Sequence, residues 1–199
     1  MLLIDTLNFM DPKILFLTKY SNLGASSRLR TLQYLNTFNF KFRVSSLFDN
    51  DYIKALYQNK SRLFIILDSF LTRISVLFKN NIKLIYIEKE LFPYLPYFIE
   101  YLFLRNKDYI LDYDDAIFHN YDNHNSKIVR LILKNKIPHL IRNAKSVIVG
   151  NEYLKNYALN CNAKKVKIIP TSVDLNKYNH NSNFENDDVF TIGWIGSPS

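Results

Sequence analysis

A single cysteine, Cys161, stands among the 199 residues, so no intrachain disulfide can form and no Cys/His cluster is available to hold zinc. That usage fits a reducing compartment, and the cytoplasm is the expected location. Glycine is scarce as well. Gly24, Gly150, Gly193 and Gly196 are all there are. None belongs to a G-x-x-x-x-G-K-[ST] loop, which excludes a P-loop ATPase. Long apolar runs are missing too. Asp68, Arg73, Pro93, Pro96 and Glu100 interrupt the most hydrophobic stretches, so none reaches the roughly 20 residues of a spanning helix. The opening MLLIDTLNFMDPK carries Asp5 and no basic leader, unlike a signal peptide.

What is present is apolar and basic. Hydrophobic residues make up 48% of the chain, enough to fill the core of one domain. The formal charge is +8. It suits nucleic acid, an anionic membrane face or a phosphorylated substrate. A general bias toward Asn, Lys, Ile, Tyr and Phe explains it equally well. The basic residues are dispersed and match no nucleic-acid-binding motif. No nucleic-acid partner is therefore expected, and a basic nucleic-acid-binding α/β domain is the weakest rival reading.

Short apolar runs alternate with helical patterns along the chain. KILFLTKYS, KFRVSSLF, IKLIYIEKE, DYILDYDDA, KSVIVG and VKIIP read as strands. Between the first two, Leu29, Leu32, Leu35 and Phe38 predict a helix starting near Ser26. Residues 51–79 predict two helices broken near 59–61. YFIEYLFL predicts a helix after Pro96. Residues 127–142 predict one basic amphipathic helix with a kink at Pro138. NEYLKNYALN predicts another, with Asn151 as N-cap. The strands are continuous apolar runs, which calls for a parallel sheet covered by helices on both faces, a Rossmann-like α/β fold. NKYNHNSNFENDD has little to bury. The chain therefore divides into a domain over residues 1–175, a linker over 176–188 and a new apolar segment over 189–199.

Ligands of such sheets sit outside the carboxyl ends of the strands, so the polar residues after each strand are the candidates. After the first strand come Gly24, Ser26 and Arg28. Their backbone could face a phosphate at the helix start, or Gly24 could serve a tight turn. After the third strand comes Glu88. After the fourth come Asp112, Asp114 and Asp115, with His119 four residues on. Crowded carboxylates raise one another's pKa. They suit sugar hydroxyls, a metal ion or general-base work, and capping of the next turn is the structural alternative. After the fifth strand comes Asn151, as a cap or a ligand contact. The helix over 127–142 could also lie on an anionic bilayer.

Six segments, in order, carry a resemblance. KILFLTKYSNLGASSRLRTLQYL, IEKELFP, DYDDAIFH, SVIVGNEYLKNYA, VKIIPTSVDLNKY and TIGWIGSPS together resemble the retaining GT-B glycosyltransferases of family four, the group 1 glycosyltransferases. The resemblance implies an acceptor-side domain, a linker, and the first strand and glycine turn of a donor-binding domain at Gly196, so that the chain corresponds to a front half. It implies transfer of a sugar from a nucleotide-diphospho-sugar to a glycan or lipid-linked acceptor, with retention and with no metal or other cofactor. It places Gly24 in the loop that approaches the donor diphosphate, Arg28 in the helix turn that follows, and Asp114, Asp115 and His119 near the acceptor and the transferred sugar. A donor-domain polypeptide is then a partner, and peripheral contact with an anionic membrane is compatible. The chain alone is expected to turn over no substrate. A non-catalytic, acceptor-binding fragment is the main rival.

Overall fold

The structure, a computed structural model, describes residues 13–58, 60–78, 82–175 and 193. Six strands form one all-parallel sheet: β1 (Ile14–Tyr20), β2 (Phe42–Phe48), β3 (Leu84–Glu88), β4 (Asp108–Tyr113), β5 (Ser146–Val149) and β6 (Val166–Ile168). Their spatial order is β2-β1-β3-β4-β5-β6. β1 lies between β2 and β3, with Leu17 opposite Ser45 on one side and Ile87 on the other. The order of the strands therefore reverses once, between β1 and β3.

Helices cover both faces, which is why the strands read as unbroken apolar runs. The β1–β2 connection holds α1 (Ala25–Arg30) and a 3₁₀ helix (Leu32–Thr37). It ends with Phe38 stacked 5.6 Å from Phe16 of β1. Later connections carry α2 (Asn50–Tyr57), α3 (Leu63–Leu77), α4 (Tyr97–Leu104), α5 (His119–Asp122), α6 (Lys127–Leu133), α7 (Lys136–Asn143) and α8 (Glu152–Asn160). From these, Leu77, Leu104, Leu133, Leu140 and Leu154 pack in one cluster with Leu15, Leu17, Ile85, Ile87, Leu111, Val147 and Val149. Asp49 caps α2 by accepting from the amides of Asp51 and Tyr52, both at 3.0 Å.

Two elements differ from expectation. The helix near Ser26 breaks at Thr31, and the rest is 3₁₀. Leu29, Leu32, Leu35 and Phe38 are spaced by three throughout, the repeat of a 3₁₀ helix rather than an α-helix. The helix over 127–142 breaks at 134–135 and not at Pro138. Pro138 falls in the first turn of α7, where a missing N–H costs nothing. The linker over 176–188, Gly196 and, apart from Gly193, the segment over 189–199 lie outside the described residues.

Candidate functional site

The reversal between β1 and β3 opens a cleft of about 520 Å³ at the carboxyl edge of the sheet. Lys19, Gly24, Ser26, Lys89, Asp115 and Asn120 line it, with Tyr57 of α2 at its side. A second cleft, of about 540 Å³, lies at the amino ends of β3 and β4. The candidate polar side chains converge at the carboxyl edge, so that cleft is the candidate site.

Gly24 shapes the loop after β1 through close approach. Its amide donates to the carbonyl of Ser21 at 3.0 Å, and it stands as N-cap of α1 with an ordinary φ of −76°. A Cβ there would lie 2.3 Å from Cβ of Tyr20, so the loop closes onto β1 only with glycine. Ser27, fully buried, then accepts from the Tyr20 amide at 3.0 Å and donates to Glu88 Oε1 at 2.9 Å. The Lys19 amide reaches Glu88 Oε2 at 3.4 Å. Burial pushes the Glu88 carboxyl up to about 7, against the Ser27 hydroxyl and the charge of Lys89.

Lys89 is the centre of the site. It follows β3 with φ of 67°, the left-handed region that a lysine rarely adopts. Its amide donates to the Asp112 carbonyl at 2.9 Å, which holds that turn against β4. Its ammonium lies 2.7 Å from Asp115 Oδ2, 3.1 Å from Asp114 Oδ1 and 3.3 Å from Ser26 Oγ. Burial works against the charge of Lys89, yet Asp114 and Asp115 hold its pKa above the ordinary lysine value. For Asp114, burial is likewise outweighed, by Lys89 and Ser26, and its carboxyl is held below the usual range. The crowded aspartates were expected to raise one another's pKa. For Asp114 the shift runs the other way, because a lysine fills the space between them.

Comparison with protein-family models, curated proteins and solved structures finds no match.

The fold thus brings Gly24, Ser26, Asp114 and Asp115 together at the cleft, with Glu88 beneath them. It sets four other predicted residues apart. Arg28 is exposed and donates to the Asn22 carbonyl at 2.9 Å. Asp112 is buried against α1, accepting from Arg30 Nε at 2.9 Å and from the Tyr86 hydroxyl at 2.6 Å. His119 faces α8, with Nε2 at 2.8 Å from the Tyr153 hydroxyl and Nδ1 at 2.9 Å from Asp122. Asn151 caps α8 by accepting from the Leu154 amide at 3.0 Å. Among the described residues, no group of three or more His, Cys, Asp or Glu is placed to hold a metal ion.

Sequence reasoning missed both lysines. Lys89 sits between two glutamates directly after a strand, and that alternation of sign was the available signal. Lys19 lies near the end of β1, 5.6 Å from the Tyr20 ring, and makes no ion pair among the described residues. Burial lowers its pKa, partly offset by Glu90. The cleft therefore offers a cation at Lys19 for an anionic group and a carboxylate at Asp115 for a hydroxyl.

The segment leaving the sheet is also fastened to this region. Arg30 Nη1 donates to the Ile169 carbonyl at 2.7 Å and to Thr171 Oγ1 at 3.2 Å. Gln33 donates to the Ser172 carbonyl at 3.0 Å.

Proposed function

We propose that this chain is the acceptor-side domain of a retaining glycosyltransferase, moving a sugar from a nucleotide-diphospho-sugar to a hydroxyl of a glycan or lipid-linked acceptor. The observation that carries the reading is the group Ser26–Lys89–Asp114–Asp115 at the mouth of the carboxyl-edge cleft. It occurs in the segments whose order resembles the group 1 glycosyltransferases. Asp115 is half out of the pair, with 66% of its side chain exposed. It can accept a hydrogen bond from an acceptor hydroxyl while Lys89 fixes its position. Lys19 and the amides around Gly24 suit the negative charge of a diphosphate. Glu88, titrating near neutrality, can hold or release a proton beneath the cleft. The reading places the reaction in the cytoplasm, at the inner face of the membrane when the acceptor is lipid-linked.

The reading assigns the grip on the activated sugar to a second, donor-binding domain. The test is transfer of labelled sugar from UDP- and GDP-sugars to glycan and lipid-linked acceptors. It is run with the chain alone and with the chain joined to a donor-binding domain of a group 1 glycosyltransferase. Transfer in the joined form, lowered about 100-fold by Asp115→Asn, is the expected result. Absence of transfer in the joined form, or transfer indifferent to Asp115, overturns the reading.

A further inference from the structure

The helix layer over the sheet turns a second apolar surface outward. On α3, Phe64, Leu67 and Leu71 are more than half exposed, as is Phe78 at its C-cap. Their spacing of i, i+3, i+7 and i+14 sets them along one side of the helix. On α4, Phe98, Tyr101 and Leu102 are exposed at i, i+3 and i+4. The two helices meet at their C-terminal ends. There the Phe78 ring lies 5.8 Å from Phe103, edge to face. A groove of about 210 Å³ between them is lined by Phe78, Leu102, Arg105 and Lys107. Soluble surfaces scatter large apolar side chains singly, so a grouping like this one marks an interaction site.

The charge around this face has one prevailing sign. Arg105 also lines the adjoining amino-edge cleft with Lys83 and Lys164, beside Tyr101. Asp108 in that cleft is paired with Lys145 at 2.5 Å. Lys107 closes the groove by donating to the Leu77 carbonyl at 2.6 Å. On the two helices themselves, Asp68 is exposed, whereas Glu100 is buried 2.9 Å from Lys136. Packing two copies face to face would set these cations against one another. An anionic surface would neutralise them.

We propose that the α3–α4 face docks on a bilayer rich in anionic phospholipid. Phe64, Leu71, Phe78 and Leu102 enter the boundary between headgroups and acyl chains, and Lys83, Arg105 and Lys164 meet the lipid phosphates. The 15 residues of α3 lie along the interface. Among the described residues, no helix is long and apolar enough to cross a membrane. The proposal does not depend on the transferase reading and stands if that reading fails.

The experiment is co-sedimentation of the 199-residue chain with vesicles of phosphatidylcholine alone and with vesicles that also contain phosphatidylglycerol, at low and high salt. Binding to the second kind alone, released by salt, is expected. Leu71→Ser with Leu102→Ser, and separately Arg105→Glu, should each lower vesicle affinity about tenfold while leaving the circular dichroism spectrum unchanged. Binding to neither vesicle, equal binding to both, or binding indifferent to these variants overturns the proposal. So does a dimer that forms without vesicles and is lost in Leu71→Ser, which gives the face to a second copy. The control is Ile128→Ser with Leu131→Ser on α6, whose outer side is also apolar. Loss of binding in that variant alone moves the contact off α3–α4 and overturns the assignment.

Discussion

Lys89 and Asp115 meet at 2.7 Å across the mouth of the cleft, the lysine 5% exposed and the aspartate facing solvent. The lysine holds this position from a left-handed backbone, which costs an L-residue about 1–2 kcal/mol relative to glycine. Lys89→Gly and Lys89→Ala both remove the ion pairs, but only the alanine keeps the backbone strain. Lys89→Gly should therefore be about 1 kcal/mol more stable than Lys89→Ala in urea unfolding. Equal stabilities would show that the turn relaxes once the ammonium is gone.

Gly24 and Gly150 predict opposite sensitivities. A Cβ on Gly24 meets Tyr20 Cβ at 2.3 Å, whereas on Gly150 the nearest neighbour is Asp114 Cα at 3.6 Å, an ordinary contact. Gly24→Ala should cost about 1–3 kcal/mol. Gly150→Ala should lie within about 0.5 kcal/mol of the parent. Thermal unfolding of the two variants beside the parent decides it.

Glu88 sets a pH dependence whose sign is fixed. Burial raises its folded pKa from 4.5 to about 7, so the folded state binds the proton more tightly than the unfolded one. Its contribution is fully present below about 4.5 and is lost as pH rises through 7, a change of roughly 3 kcal/mol. Asp114, held low, acts in the opposite sense. Its contribution is present above its unfolded pKa and is lost as pH falls below it. Urea midpoints between pH 5 and 8 should fall with rising pH in the parent and fall less steeply in Glu88→Gln, since burial raises the Glu100 carboxyl as well. A parallel slope in both would sink the assignment.

Two buried cations predict opposite outcomes on replacement. Arg73 is fully buried. Its Nη2 donates to the Thr18 carbonyl at 2.7 Å, while Nε and Nη1 find no partner among the described residues. Burial lowers its pKa to about 9. Arg73→Met removes a poorly satisfied charge and should leave stability unchanged or raise it by about 1–4 kcal/mol. Lys136 instead joins Glu90 at 2.6 Å to Glu100 at 2.9 Å. Lys136→Met strands two carboxylates in the core and should cost about 3–5 kcal/mol. Chemical denaturation of both variants would read the contrast directly.

The sheet was legible because its strands are continuous apolar runs between polar ends, and Glu88, Asp114 and Asp115 were legible because they close such runs. Lys19 and Lys89 were not, since a lysine at a strand end reads as an exposed boundary. Only the fold shows that burial and the neighbouring aspartates hold Lys89 in place. The left-handed turn at Lys89 leaves no trace in residue type. Asp112 looked like one more member of an acidic rim, because its partner Arg30 is 82 positions away. The even spacing of Leu29, Leu32, Leu35 and Phe38 is the visible sign of the 3₁₀ helix, although four such positions also fit an α-helical stripe.

Arg30 makes α1 a tie between two regions. One arm ends at Ser26 and Ser27, in contact with Lys89 and Glu88. The other is tied by Arg30 to Ile169 and Thr171. The six residues of α1 therefore join the hydroxyls beside the carboxylates to the stretch of chain that follows β6.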